Sequence, residues 1–360
     1  MLDIPHPSES VTNTVSGTPH RRTVFYVGGG YVPKGNSTIA SGQMYVERLT
    51  PAKVTQPYPL LFIHGNGMTG TNFLNTPDGR VGWADFFLGK GYEVYLLDQP
   101  SRGRSAWQEG VDGTQSIFDT YTVEARFTAT QLYNLWPQAS LHTQWPGSGT
   151  SGDLIFDQFY AAIMPSLSSD VEVSTKIKAA GSQLLDKIGP VILITHSQSG
   201  QFGWILADAR PSQVKAILAI EPIGPPFINA VFPPLAPARP YGLTAIPITY
   251  SPPISSAQDL DREVISSNSL YTCFKQTTPA RKLVNLEEIP VLVITSESGY
   301  HAIYDECSVN FLRQAGIKVK HVHLQEVGIH GNGHMMFMEK NNLEIADEVV
   351  EPWLEELTRS

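Results

Sequence analysis

The residues of this chain whose types could do chemistry together are a serine at the end of an apolar run, a histidine in a glycine-rich loop far downstream, and a carboxylate between them. Residues 191–195 lead into His196-Ser197-Gln198-Ser199-Gly200, and residues 201–209 follow with helical character. Strand, tight turn and helix in this order suit the template G-x-S-x-G, whose flanking positions must be small because the backbone crowds them when the serine is held in a strained conformation. Centred on Ser197, those positions are Thr195 and Ser199; centred on Ser199, the bulky Gln201 would have to fit. Both template glycines are replaced, so the steric logic survives while the formal motif does not. A helix N-cap is the competing reading of such a serine.

A serine hydroxyl needs an imidazole to take its proton and a carboxylate to orient that imidazole and stabilise its charged form. Of ten histidines, His334 in Gly328-Ile329-His330-Gly331-Asn332-Gly333-His334 is the expected base, because its loop follows the last apolar run and precedes the helix-like residues 339–357. His330 in the same loop is the reserve. His321 and His323 alternate on an expected strand and read as packing or exposed residues, His301 starts an expected helix, and His142 lies in an insertion. His196 should support the turn. Two carboxylates follow apolar runs: Glu221 after 216–220, stiffened by Pro222, and Glu297 after 291–294. Glu221 is the favoured acid and Glu297 reads as a solvated loop residue. The run 60–63 ends in His64-Gly65-Asn66-Gly67, where Gly65 and Gly67 carry no Cβ and let backbone N–H groups approach a substrate. The N–H groups of Asn66 and Gln198 are the expected donors to a negative oxygen.

The elements that must position these residues read as a mostly parallel sheet. Residues 23–27 and 43–49 suggest two antiparallel strands flanking the Gly- and Pro-rich stretch 28–35, and the apolar runs 60–63, 92–97, 191–194, 216–220, 291–294 and 319–324 alternate with helix-length segments. Continuous apolar strands imply burial on both faces, hence an α/β fold with helices on either side. Two stretches break the rhythm, about 106–174 and about 224–288, the second rich in proline, and both read as irregular cap insertions. The expected organisation is a flexible N-terminal segment over 1–22 and a single domain over 23–360. Trp136, Trp145, Phe156, Phe159 and Tyr160 of the first insertion are expected pocket walls, alongside Gly65 and Gly67.

A net charge of -9 without a Lys/Arg cluster argues against nucleic acid or anionic lipid as partner. No apolar stretch approaches the roughly 18 to 20 residues that cross a bilayer, and residues 1–23 show no apolar signal-peptide core, as a mature chain with its leader removed would also do. The chain therefore reads as soluble, in the cytoplasm or outside the cell. Cys273 and Cys307 pair only if the fold brings them together.

Three segments in this order, Phe62-Ile63-His64-Gly65, Asp98-Gln99-Pro100-Ser101-Arg102-Gly103-Arg104-Ser105 and His196-Ser197-Gln198-Ser199-Gly200, resemble successive signatures of the α/β-hydrolase superfamily. More narrowly, Thr76-Pro77-Asp78-Gly79-Arg80, Leu135-Trp136-Pro137-Gln138-Ala139, His142-Thr143-Gln144-Trp145-Pro146-Gly147, Ile220-Glu221-Pro222 and Gly331-Asn332-Gly333-His334-Met335-Met336 resemble the esterase 713-like group, over about residues 23–354. The resemblance implies a glutamate acid after the sixth strand, Glu221, and the base His334. Many such hydrolases carry the acid nearer Gly299, which has no carboxylate here. Adjacent cysteines in the group's founding member correspond to Asn66-Gly67, so no vicinal disulfide forms at that loop.

The expected reaction is acyl transfer from a small-molecule ester or lactone to water, with Ser197, His334 and Glu221 as triad and without metal or organic cofactor. A homodimer is an open expectation. Two other readings stand beside it: a lyase, cyclase or carbon–carbon bond hydrolase on the same scaffold, and a noncatalytic ligand-binding protein with a relic triad.

Overall fold

The structure, a computed structural model, describes residues 17–359. Eight strands form one sheet: β1 (His20–Lys34), β2 (Ser37–Pro51), β3 (Leu60–Ile63), β4 (Val94–Asp98), β5 (Val191–His196), β6 (Val214–Ile220), β7 (Val291–Thr295) and β8 (Val319–His323), in the order β1-β2-β4-β3-β5-β6-β7-β8. The β1–β2 and β2–β4 pairs are antiparallel and the others parallel. Side chains alternate between two cores along each central strand. Leu61, Ile63, Val191 and Leu193 face one core with α2 (Asp170–Ile188), α3 (Gly200–Ala209) and α4 (Asp305–Gln314). Leu60, Phe62, Ile192 and Ile194 face the other with α1 (Trp83–Gly89) and α5 (Glu351–Arg359). Apolar residues at every position are thus explained by helices covering both faces.

The register decides where the chemistry can sit. Ile63 lies beside Thr195, His196 beside Ile220, and Ile220 beside Ile294. The carboxyl ends of β3, β5, β6 and β7 are therefore level, and His64, Ser197, Glu221 and Ser296 emerge side by side at the edge where open α/β sheets bind ligands.

Three expectations change. The Gly-rich stretch 28–35 does not separate strands; β1 runs through it and pairs with β2 from His20–Pro51 to Lys34–Ser37. Gly28 and Gly29 take positive φ there, and a Cβ on Gly28 would lie 2.5 Å from the Ala180 Cβ, so glycine lets the ribbon cross α2 closely. The polar segment expected over 1–22 ends sooner, since His20, Arg21 and Arg22 already belong to β1; residues 1–16 lie outside the described residues. The stretch 224–288, expected to be irregular, carries a hairpin of Arg262–Ser267 and Thr272–Gln276. That hairpin is tied to α4 by a Cys273–Cys307 disulfide. Among the described residues no helix is long and apolar enough to cross a membrane.

Candidate active site

β5 delivers Ser197 into a turn with φ 55, a left-handed conformation that costs a non-glycine residue about 1–3 kcal/mol and holds its hydroxyl clear of the sheet. Ser199 stabilises this turn: its hydroxyl accepts from the His196 N–H (2.8 Å) and donates to the Ile63 carbonyl (2.5 Å), joining the elbow to β3. The closest backbone approach falls one position later than the template puts it. A Cβ on Gly200 would lie 2.4 Å from the Pro222 Cβ, so the helix start packs directly on the turn after β6.

Glu221 leaves β6 at φ 40 and is fully buried. Its Oε2 lies 2.6 Å from His334 Nδ1. Its Oε1 accepts from the Ser296 N–H (2.8 Å) and from the Ser296 hydroxyl. Gly299 makes room for this carboxylate, because a Cβ there would stand 2.6 Å from Glu221 Oε1. Burial pushes the Glu221 carboxyl up and the His334 imidazole down from their ordinary pKa values; His301 and the Ser296 donors oppose the first shift. The far side of His334 meets a tyrosine: the Tyr300 hydroxyl is 3.3 Å from His334 Nε2 and lies against Ser197. His301 stacks on His334 at 4.9 Å and 7°, donates from Nδ1 to Asp305 (2.8 Å), and receives the Tyr304 hydroxyl at Nε2 (3.0 Å).

The loop carrying His334 is held by a buried acid. Glu339 accepts from the Gly333 N–H (3.0 Å) and the Asn332 amide (2.8 Å), and lies 2.8 Å from Nε2 of His142 in the first insertion. His196 donates from Nε2 to the His334 carbonyl (3.0 Å), so the residue before the serine supports the loop of the histidine.

On the other side of Ser197, Asn66 and Gln198 both border the cavity. The Gln198 N–H lies in the first turn of a short helical segment and has no intrahelical acceptor. One buried cation organises both strands of this corner: Arg102 donates to the Gly65 carbonyl (2.8 Å) and to the side chains of Gln198 (3.2 Å) and Asn66 (3.4 Å). Burial pushes its pKa down to about 9. His64 is buried behind it, accepts the Gln99 N–H at Nε2 (3.1 Å), and has its pKa lowered to about 3 by burial and by Arg102. Gly65 is required because a Cβ would lie 2.8 Å from His196 Nδ1.

Ser197, His334, Tyr300, His301, Asn66 and Gln198 share one cavity of about 250 Å³. Phe118, Arg126 and Phe127 of the first insertion and Asn229, Ala230 and Phe232 of the second close over it. Phe127 stacks on the His334 ring at 5.4 Å, and the Arg126 guanidinium lies over Phe232 at 4.0 Å. Buried Arg239 gathers the carbonyls of Gly224 (3.2 Å), Pro225 (3.0 Å) and Ile228, giving the proline-rich wall its shape.

The alpha/beta hydrolase family matches this chain over residues 60–348. The protein belongs to that family. It is 51% identical over 335 residues to a probable secreted lipase, phiG, of a fungal species (strain ATCC 74256), an alignment covering 92% of this chain and 88% of the relative. A novel bacterial esterase solved at atomic resolution superposes with a TM-score of 0.59 at 23% identity, over 96% of this chain and 100% of that one, which shows the shared fold.

Within this hydrolase the structure brings together Ser197, His334, Glu221, Asn66 and Gln198, and leaves the seven expected substrate contacts outside the cavity lining. Trp145, Phe156 and Phe159 are buried in the core, and Tyr160 stacks on Phe156 with its hydroxyl on the Phe118 carbonyl. Trp136 is buried behind Tyr300 and Phe232 and donates to the Ser298 carbonyl. Gly65 and Gly67 shape the turn without facing the cavity: the Gly67 N–H is used by the Ser166 hydroxyl and the Asn66 side chain, both at 3.1 Å. Large aromatic area favours full burial when a core is within reach, and here it is. His330 is exposed and pairs with Glu297 (3.0 Å), which also accepts from the Gly331 N–H (2.7 Å), so Glu297 latches the histidine loop and is more than a solvated acid. Tyr300 and Arg102 carry the largest roles that sequence reasoning missed. Arg102 stood inside a recognised segment, whereas nothing around Tyr300 marked it.

Proposed function

We propose that the protein hydrolyses a carboxylic ester, open-chain or lactone, through an acyl-enzyme on Ser197. The observation that carries this reading is the 2.6 Å pair of His334 and Glu221 facing a cavity that also holds a strained, accessible serine. Ser197 Oγ attacks the carbonyl carbon while its proton passes through the Tyr300 hydroxyl to His334 Nε2. The N–H groups of Asn66 and Gln198 hold the oxyanion, a type of contact whose loss costs on the order of 100- to 1000-fold in turnover. His334 then protonates the departing alcohol. Water, deprotonated by the same imidazole, releases the acid. Glu221 keeps the Nδ1 proton on His334 and stabilises the imidazolium.

The cavity volume of about 250 Å³ lies below the roughly 300–1,000 Å³ of drug-sized pockets, which supports a short acyl group or compact lactone over a long chain. A secreted location belongs to the same reading, supported by the fungal relative's description and by the Cys273–Cys307 disulfide, a bond that persists in oxidising compartments. A fluorophosphonate probe should add one adduct mass to Ser197 of the intact protein and none to Ser197→Ala, with p-nitrophenyl butyrate turnover lost in parallel. Equal labelling or turnover in the folded variant refutes the assignment.

A further inference from the structure

A second group of ligating side chains lies on the outer edge of the sheet, apart from the cavity. β8 is an edge strand, and His321 and His323, two residues apart on it, present their rings to the same side with centroids 4.1 Å apart. Glu306, in the first turn of α4, faces them with Oε2 3.1 Å from His321 Nδ1. Arg313 approaches its other oxygen, Oε1, at 3.5 Å. One ligand atom from each of Glu306, His321 and His323 lies within 4.8 Å of the other two. From the sequence alone these histidines are expected to be packed or exposed, with no metal.

The hydrogen bonds behind His321 decide which of its nitrogens carries the proton. The Thr295 hydroxyl donates its single hydrogen to Asp305 Oδ2 at 2.7 Å. Its 2.9 Å contact with His321 Nε2 therefore needs Nε2–H as the donor. Neutral His321 is left with its lone pair on Nδ1, aimed at a carboxylate oxygen. Two acceptors face each other, and a cation between them satisfies both.

We propose that Glu306, His321 and His323 bind a divalent transition metal of the zinc type, with water completing its shell. Imidazole nitrogens with one carboxylate are a donor set that zinc accepts. The Nε2–H to Thr295 contact, backed by Asp305, is the outer hydrogen bond that metal-bound histidines use to fix tautomer and ring orientation. A metal here fastens the edge strand β8 to the start of α4.

The test is calorimetric titration of zinc chloride into the tag-free full chain, repeated with cobalt(II) by visible absorption. One zinc per chain is expected near pH 8, with affinity falling in acid because the ligands must be deprotonated. His323→Ala and Glu306→Gln should each weaken binding by about tenfold or more and abolish the cobalt bands, while His330→Ala, at a surface histidine elsewhere, leaves both unchanged. No saturable uptake by the wild type overturns the proposal, as does uptake insensitive to His323→Ala. Glu221, His301 and His334 also have ligand atoms within 4.8 Å of one another; binding lost in His334→Ala but kept in His323→Ala would assign the metal to the cavity and equally overturn it.

Discussion

His334 with Glu221 and His301 with Asp305 are two histidine–carboxylate pairs lying ring on ring, with Nδ1–carboxylate distances of 2.6 and 2.8 Å. They differ in what meets the remaining nitrogen. Nε2 of His334 faces the Tyr300 hydroxyl, which Ser197 also touches, whereas Nε2 of His301 is occupied by the Tyr304 hydroxyl. A histidine and its acid are thus not sufficient to make a base; the contact at the second nitrogen decides. In the proposed reaction His334 moves the proton, and His301 serves as packing and electrostatic background.

The sharpest way to break this comparison is to remove the members of the first pair. Ser197→Ala and His334→Ala should each lower kcat on a short p-nitrophenyl ester by on the order of 10⁴-fold or more, and Glu221→Gln by about 10³- to 10⁴-fold, with circular dichroism unchanged. Tyr300→Phe tests the relay and should reduce kcat by about 10- to 100-fold with KM little altered; a rise in KM alone would make Tyr300 a wall. His301→Phe should cost less than about tenfold, since its ring packs while its nitrogens bond Asp305 and Tyr304. A loss equal to that of His334→Ala would show that the two pairs share the base role.

The smallest effect is on pH. Because burial and His301 lower the His334 pKa, its neutral form persists below the ordinary histidine value, so the acidic limb of kcat/KM should lie under about pH 6.5. Stability has the same sign. His64, His196 and His334 all have lowered pKa values, so the unfolded chain binds more protons as pH drops below about 6.5, and the melting temperature should fall in acid. A melting temperature that rises from neutral to pH 5 contradicts these shifts.

The elbow was legible because its constraint is local: an apolar strand, small residues around the serine, and a helix after it. Glu221 and His334 were legible because strand ends in parallel sheets converge on one edge. The cavity walls were not. Trp145, Phe156 and Phe159 announce burial by their area, yet area says nothing about which side of an insertion faces the core. Glu339 and His142 were invisible for another reason: their contact spans 197 residues and follows no spacing rule.

By itself the sequence determined the sheet, through apolar runs that only two covering layers of helices can bury, and the identity of the residues at its carboxyl edge. The tertiary structure alone decided how those residues meet. Level strand ends set Glu221 against His334, Gly299 leaves the space the carboxylate enters, and two insertions distant in the chain place Phe127 and Phe232 over the serine. Such contacts depend on the directions of side chains across separate segments, and no local pattern of residues carries that information.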